Sequence, residues 1–147
     1  MKKRKKSDPV TKKLKAWKDR METKKPFEVK TIDKKFADIP ANSTMLIASP
    51  KIIDAYVRQI PKGTATTLQI MRKDLAVEYQ AEYTCPVTTG IFLRIVAEAA
   101  HEALEAGQPV QKITPFWRVV DGNSSLAKKV TFDKKFIEEQ RKKERLT

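Results

Sequence analysis

The residues of this 147-residue chain best equipped for chemistry are the run Pro115-Phe116-Trp117-Arg118-Val119-Val120. Two large rings and a guanidinium side by side can stack on a flat partner such as a nucleobase. A proline opens an extended segment here and a β-branched pair continues it. The competing reading makes Phe116 and Trp117 core residues with Arg118 solvated beside them, because aromatics mostly bury. Neither ring can act as a nucleophile or a base. The single cysteine, Cys85, and the single histidine, His101, are the other reactive groups. A helix N-terminus would lower the pKa of the Cys85 thiol. On a helix opening at Pro86, however, His101 falls about 24 Å from Cys85, so the two form no dyad. One histidine argues against a His/Cys metal site. The carboxylates form no spaced cluster for a hard cation. Four glycines supply no phosphate loop. The expectation is a protein that is not an enzyme and takes no cofactor and no metal.

Charge points to the partner. The net charge is +13, and residues 1–35 carry 15 Lys/Arg against 5 Asp/Glu. A polybasic arm attracts DNA, RNA or an acidic membrane surface. No apolar run approaches the roughly 20 residues of a membrane span. The basic N-terminus lacks the apolar stretch of a secretory signal. An intracellular protein without a membrane partner is expected, cytoplasmic or associated with the nucleoid if the chain is bacterial.

The elements that must position these residues follow from punctuation and spacing. Residues 1–44 read as a basic N-terminal arm and 45–147 as the folded domain. Within the arm, Asp8-Pro9 is a helix start, and Val10, Leu14, Trp17 and Met21 form a narrow apolar stripe, so a helix is expected over 9–22. Residues 23–44 read as polar and irregular. Met45 to Ala48 reads as a short buried strand. Ser49-Pro50 starts a helix with Ile52, Ile53, Tyr56 and Ile60 inward, ending before Pro61. After the turn Ile60-Pro61-Lys62-Gly63, Thr66 or Thr67 caps a helix carrying Leu68, Met71, Leu75 and Tyr79. Cys85-Pro86 opens a longer helix that stops near Gly107. Its inward face is read as Phe92, Ile95, Val96, Ala99 and Ala103. Its polar face is read as Arg94, Glu98, His101, Glu102 and Glu105. Residues 113–120, the turn Asp121-Gly122-Asn123-Ser124 and residues 126–130 read as a β hairpin. Thr131 caps a last helix, with Phe132, Phe136 and Ile137 apolar and the residues after Glu138 fraying. The fold class is mainly α with a small β hairpin, an order that suits a winged helix-turn-helix.

Pro115-Phe116-Trp117-Arg118-Val119 resembles the active-site segment P-C-H-R-V of the alkylguanine-DNA alkyltransferase family. It resembles still more the alkyltransferase-like branch, which lacks the reactive cysteine. Phe116 stands at the cysteine position and Trp117 at the histidine position. Ile60-Pro61-Lys62-Gly63, the two helices after it, Asp121-Gly122 and a last helix near 132 follow the family's order, over residues 45–145. The block 85–92 together with 113–118 is also similar to a small branch of relatives of the alkyltransferase.

The resemblance implies the C-terminal DNA-binding domain of that family. It implies a recognition helix in the minor groove of double-stranded DNA, recognition of alkylated guanine, and a repair protein as a further partner. The implied base pocket is Pro115, Phe116 and Trp117. The implied DNA-binding residues are Leu68, Thr88, Thr89, Gly90, Arg94 and Arg118. The family's intercalating arginine falls on Thr88-Thr89-Gly90 and its tyrosine near Leu68, so both are absent here. Alkyl transfer is excluded at Phe116 by residue type. Two other readings remain open. One is a winged-helix module for RNA or protein with the aromatics buried; the other is chemistry at Cys85. Thr88 and Thr89 read either as phosphate contacts at a helix N-terminus or as ordinary first-turn residues. Arg94 reads either as a phosphate contact or as an i, i+4 partner of Glu98.

Overall fold

The computed structural model describes residues 16–146. It holds five helices and a small three-stranded sheet. In chain order these are α1 (Trp17–Arg20), β1 (Glu28–Thr31), β2 (Thr44–Ile47), α2 (Pro50–Arg58), α3 (Leu68–Glu78), β3 (Tyr83–Thr84), α4 (Pro86–Glu105) and α5 (Lys135–Lys143). Two single 3-10 turns, Val110–Lys112 and Phe116–Arg118, lie between α4 and α5. The run 1–8 and residues 9–15, the first half of the expected helix over 9–22, lie outside the described residues. In the described part, Ala16 is extended (φ −58°, ψ 148°) and only Trp17–Arg20 is helical.

The helix starts follow their punctuation. Ser49 Oγ accepts the Ile52 N–H at 3.2 Å with Pro50 in the first turn, and Ile53 and Val57 are buried. Thr67, not Thr66, caps α3, accepting the Ile70 N–H at 3.1 Å. Gly107 adopts φ +106° just beyond α4, a left-handed turn that suits glycine. The last helix departs from expectation at its start. Thr131 does not cap it; Asp133 Oδ1 accepts the Lys135 N–H at 2.9 Å, and Thr131 is engaged elsewhere.

The sheet is not where the sequence placed it. It lies upstream, in the order β1-β2-β3, with β1 antiparallel and β3 parallel to β2. Residues 113–130 form no strands. The reason is local hydrogen bonding. The N–H groups of Phe116, Arg118, Val119 and Val120 all bond to carbonyls two to four residues back. The outward carbonyls are taken as well. That of Trp117 accepts from Arg141 and that of Arg118 from the Thr66 N–H. No ladder remains for a returning strand to join. Asp121-Gly122-Asn123-Ser124 does turn, with Asp121 Oδ1 accepting the Asn123 N–H.

One large core joins α2, α3, α4, the Phe116–Arg118 turn and α5. A second, small cluster of Ile32, Ile39, Met45 and Cys85 lies under the sheet. Helix α4 crosses the main core and is its central strut. Its buried face is Thr89, Leu93, Val96, Ala97, Glu98 and Ala100. That face is rotated from the expected one, because Glu98 is an inward carboxylate. It accepts the Thr131 N–H and hydroxyl at 2.8 and 2.6 Å and pairs with Arg94 at 3.4 Å. A buried carboxylate so supplied with donors no longer needs solvent.

Candidate nucleic-acid interface

The run Pro115 to Val120 splits into three parts. Pro115, Phe116 and Trp117 turn inward; Phe116 is 0% and Trp117 3% exposed. The Phe116 ring lies edge-on to Trp117 and Phe132, with centroids 5.4 and 5.6 Å away, and 6.0 Å from Phe136. His101 stacks on Phe132 at 4.1 Å. The two rings therefore fill the interior they were expected to line. Val119 and Val120 are buried too, and form part of the wall of a groove described below.

Arg118 is not left in solvent. Its Nε and one terminal nitrogen grip both oxygens of Glu144 at 2.9 Å, and the other terminal nitrogen donates to the Ile60 carbonyl at 2.7 Å. Glu144 also accepts the Trp117 indole N–H at 2.8 Å and the Gly63 N–H at 3.0 Å. Burial pushes the Glu144 carboxyl up, but Arg118, the Gly63 N–H and the Trp117 indole outweigh it and hold the group at about 2. The end of α5 is thus clamped, not frayed, with Gln140 and Arg141 buried as well.

The hydroxyls at the start of α4 are also internal. Thr89 is 0% exposed and donates to the Cys85 carbonyl at 2.6 Å. Thr88 Oγ1 is enclosed and makes no hydrogen bond. Both hydroxyls are turned into the fold. Cys85 is buried beneath the sheet at 3% exposure.

Three expected site residues do meet. Leu68, Gly90 and Arg94 line one groove of about 680 Å³ that runs beside the first half of α4. The sequence reading missed Arg20 and Lys129, which line the same groove. Arg20 was legible in part, since it stands three residues from Trp17 on a helix. Its guanidinium covers the Trp17 ring at 4.3 Å, and that of Arg94 lies 5.4 Å from the same ring. Trp17 therefore gathers two cations at the rim, each cation–π contact worth about 0.5–1 kcal/mol in the open. Glu102 holds this corner in place, accepting the Trp17 and Lys18 N–H groups at 3.0 and 3.1 Å. Opposite, Lys129 and the turn at Ser124-Ser125 close the groove.

Among the described residues no three His, Cys, Asp or Glu side chains gather as a metal site requires. No described helix is long and apolar enough to cross a membrane. No protein-family model, curated protein or solved structure matches the chain.

Proposed function

We propose that this chain is a non-catalytic protein of the alkyltransferase-like type that binds duplex DNA through the groove along α4. One observation carries the reading: Leu68 of α3 and Gly90 and Arg94 of α4 meet in one groove that Arg20 and Lys129 also line. Phosphate backbones are bound by such cations, and the chain's charge of +13 adds a field without sequence preference. On the winged helix-turn-helix reading, α3 and α4 are the helix pair, and the turns over 121–130 stand in place of the hairpin. The first half of α4 then enters the minor groove. Discrimination of alkylated guanine would require Phe116 and Trp117 to leave the core, so the favoured reading is duplex binding without lesion preference. The setting is the cytoplasm or nucleoid, and any role in repair passes to a partner protein.

The test is a titration of fluorescent duplexes, plain and carrying an alkylated guanine, at two salt concentrations. Affinity is expected to fall by on the order of a thousandfold between about 50 and about 200 mM salt. The two duplexes are expected to bind equally. Arg94→Ala and Lys129→Ala are each expected to reduce the salt slope by about 0.9. A duplex affinity indifferent to both variants sinks the proposed groove.

A second reading, a module for RNA or protein, draws on the exposed Val87 and Ile91, which line the same groove. Single-stranded RNA outcompeting duplex DNA at equal salt would favour it.

A further inference from the structure

Strand β1 is an edge of the sheet, since the strand order is β1-β2-β3. It pairs antiparallel with β2, with Val29 opposite Leu46 and Thr31 opposite Thr44. On β2 those two partners bond away from β1. The Leu46 carbonyl accepts the Cys85 N–H at 2.9 Å, and the Thr44 N–H donates to Glu82 at 2.9 Å. Just past the strand, the Ile32 N–H donates to the Ser43 carbonyl at 3.0 Å. Along an antiparallel ladder, bonded and unbonded pairs alternate. Glu28 and Lys30 therefore bond to β2, whereas the N–H and C=O groups of Val29 and Thr31 point outward. Among the described residues nothing bonds to those four groups.

The two faces of this edge differ. Val29 shares its face with Leu46, a residue of the main core, and the Phe27 ring packs on Tyr79 with centroids 4.7 Å apart. Phe27 is 40% and Val29 38% exposed, so both are held in place but uncovered. Lys30 stands on the opposite face. Around the strand the exposed Lys24, Lys25, Lys30, Lys34 and Lys35 outnumber Glu28 and Asp33. None of the five lysines forms a salt bridge with a described residue. The flanking acids Glu22 and Asp38 are already paired, with Lys51 and Arg72.

We infer that the free edge of β1 takes an added antiparallel strand from a partner protein, an extended segment in which acidic and apolar side chains alternate. Its backbone completes the bonds of Val29 and Thr31. Its apolar side chains cover Phe27 and Val29, and its carboxylates meet the lysines on the other face, around Lys30. Backbone pairing supplies the affinity and the alternation supplies the specificity. A second copy of this chain is the poorer occupant, because two β1 edges would bring the same lysines together. None of Phe27, Val29, Lys30 and Thr31 lines the groove along α4, so this inference goes beyond the duplex-binding reading and does not depend on it.

A fluorescent peptide of about eight residues, glutamate alternating with valine, tests it when titrated with the full chain and followed by anisotropy. Wild-type protein binds this peptide, and binds one with lysine in place of each glutamate roughly tenfold more weakly. N-methylation of the valine amides, which face Val29 and Thr31, abolishes binding while leaving every charge in place. Thr31→Pro removes one outward N–H, a change an edge strand tolerates, and abolishes binding with a melting temperature within about 2 °C of wild type. Should that variant fail to fold, the methylated peptide decides. Lys30→Glu weakens binding roughly tenfold. Equal binding of the methylated peptide, or no binding of the parent peptide, overturns the added strand. A wild-type dimer that Thr31→Pro dissociates overturns the acidic partner in favour of a second copy. Duplex affinity, measured on the same proteins, is expected to be equal for wild type and Thr31→Pro, so failure of either reading shows apart from the other.

Discussion

Phe116→Ala is expected to lower the unfolding free energy by about 3–5 kcal/mol. The ring is wholly enclosed, and it meets Trp117, Phe132 and Phe136 in edge-on or tilted geometry. Truncation removes the transfer free energy of the ring and leaves a cavity walled by stiff aromatic planes that cannot collapse far. The lost ring pairs add about 0.5–1.5 kcal/mol each beyond area burial, part of which lies within the same total. Domains of this size hold only about 5–15 kcal/mol in all, so the variant gives up a large share of its stability. Urea titration followed by tryptophan fluorescence measures it. Phe116→Leu, which keeps most of the volume, is expected to cost less than half as much. The outcome also separates two roles for the run 115–118. A ring lining an open base pocket would cost under about 1 kcal/mol on truncation and change only DNA binding. Loss of stability well before any specific loss of binding marks a core residue.

The contrast shows what the sequence made legible. Helices α2, α3 and α4 announced themselves through Ser49-Pro50, Thr67, Pro86 and Gly107, because capping is decided by residues a few positions apart. The buried strand β2 was visible as a short apolar run. Strand β1 was not, because Glu28–Thr31 is four residues of mixed character whose partner, Thr44–Ile47, lies beyond a long connection. The hairpin over 113–130 was over-read. Val119-Val120 and Asp121-Gly122 are good strand and turn signals, but both valines are buried and their backbone bonds close locally. Two consecutive inward residues do not fit a strand with one solvated face. The phase of α4 was misjudged because no local pattern reveals that Glu98 would find Thr131, 33 residues away. Of the groove, Leu68, Gly90 and Arg94 were named in advance. Lys129 was not, since only the folded path of the turn at 121–130 brings it beside α4.

Glu144→Gln is the second large effect, and its signature is in pH. The side chains of Arg118 and Glu144 are 14% and 6% exposed, so this is an enclosed ion pair with two further donors on the carboxylate. Removing one charge leaves the Arg118 guanidinium short of its partner, a loss of about 3 kcal/mol and on the order of 10 °C in melting temperature. In the folded chain the Glu144 carboxyl is held at about 2, against 4.5 when unperturbed. The unfolded chain therefore takes up the proton first as pH falls. The stabilisation is fully present above about pH 4.5 and disappears progressively as pH drops toward about 2, an interval equivalent to roughly 3 kcal/mol. The glutamine variant has already lost that contribution and cannot lose it again. Urea midpoints at pH 7 and pH 3 are expected to differ by much less for the variant than for the wild type. Equal pH dependence in the two proteins would mean that Glu144 is not held by Arg118, Trp117 and Gly63 as the structure places it. The end of α5 would then be free of the turn carrying Phe116.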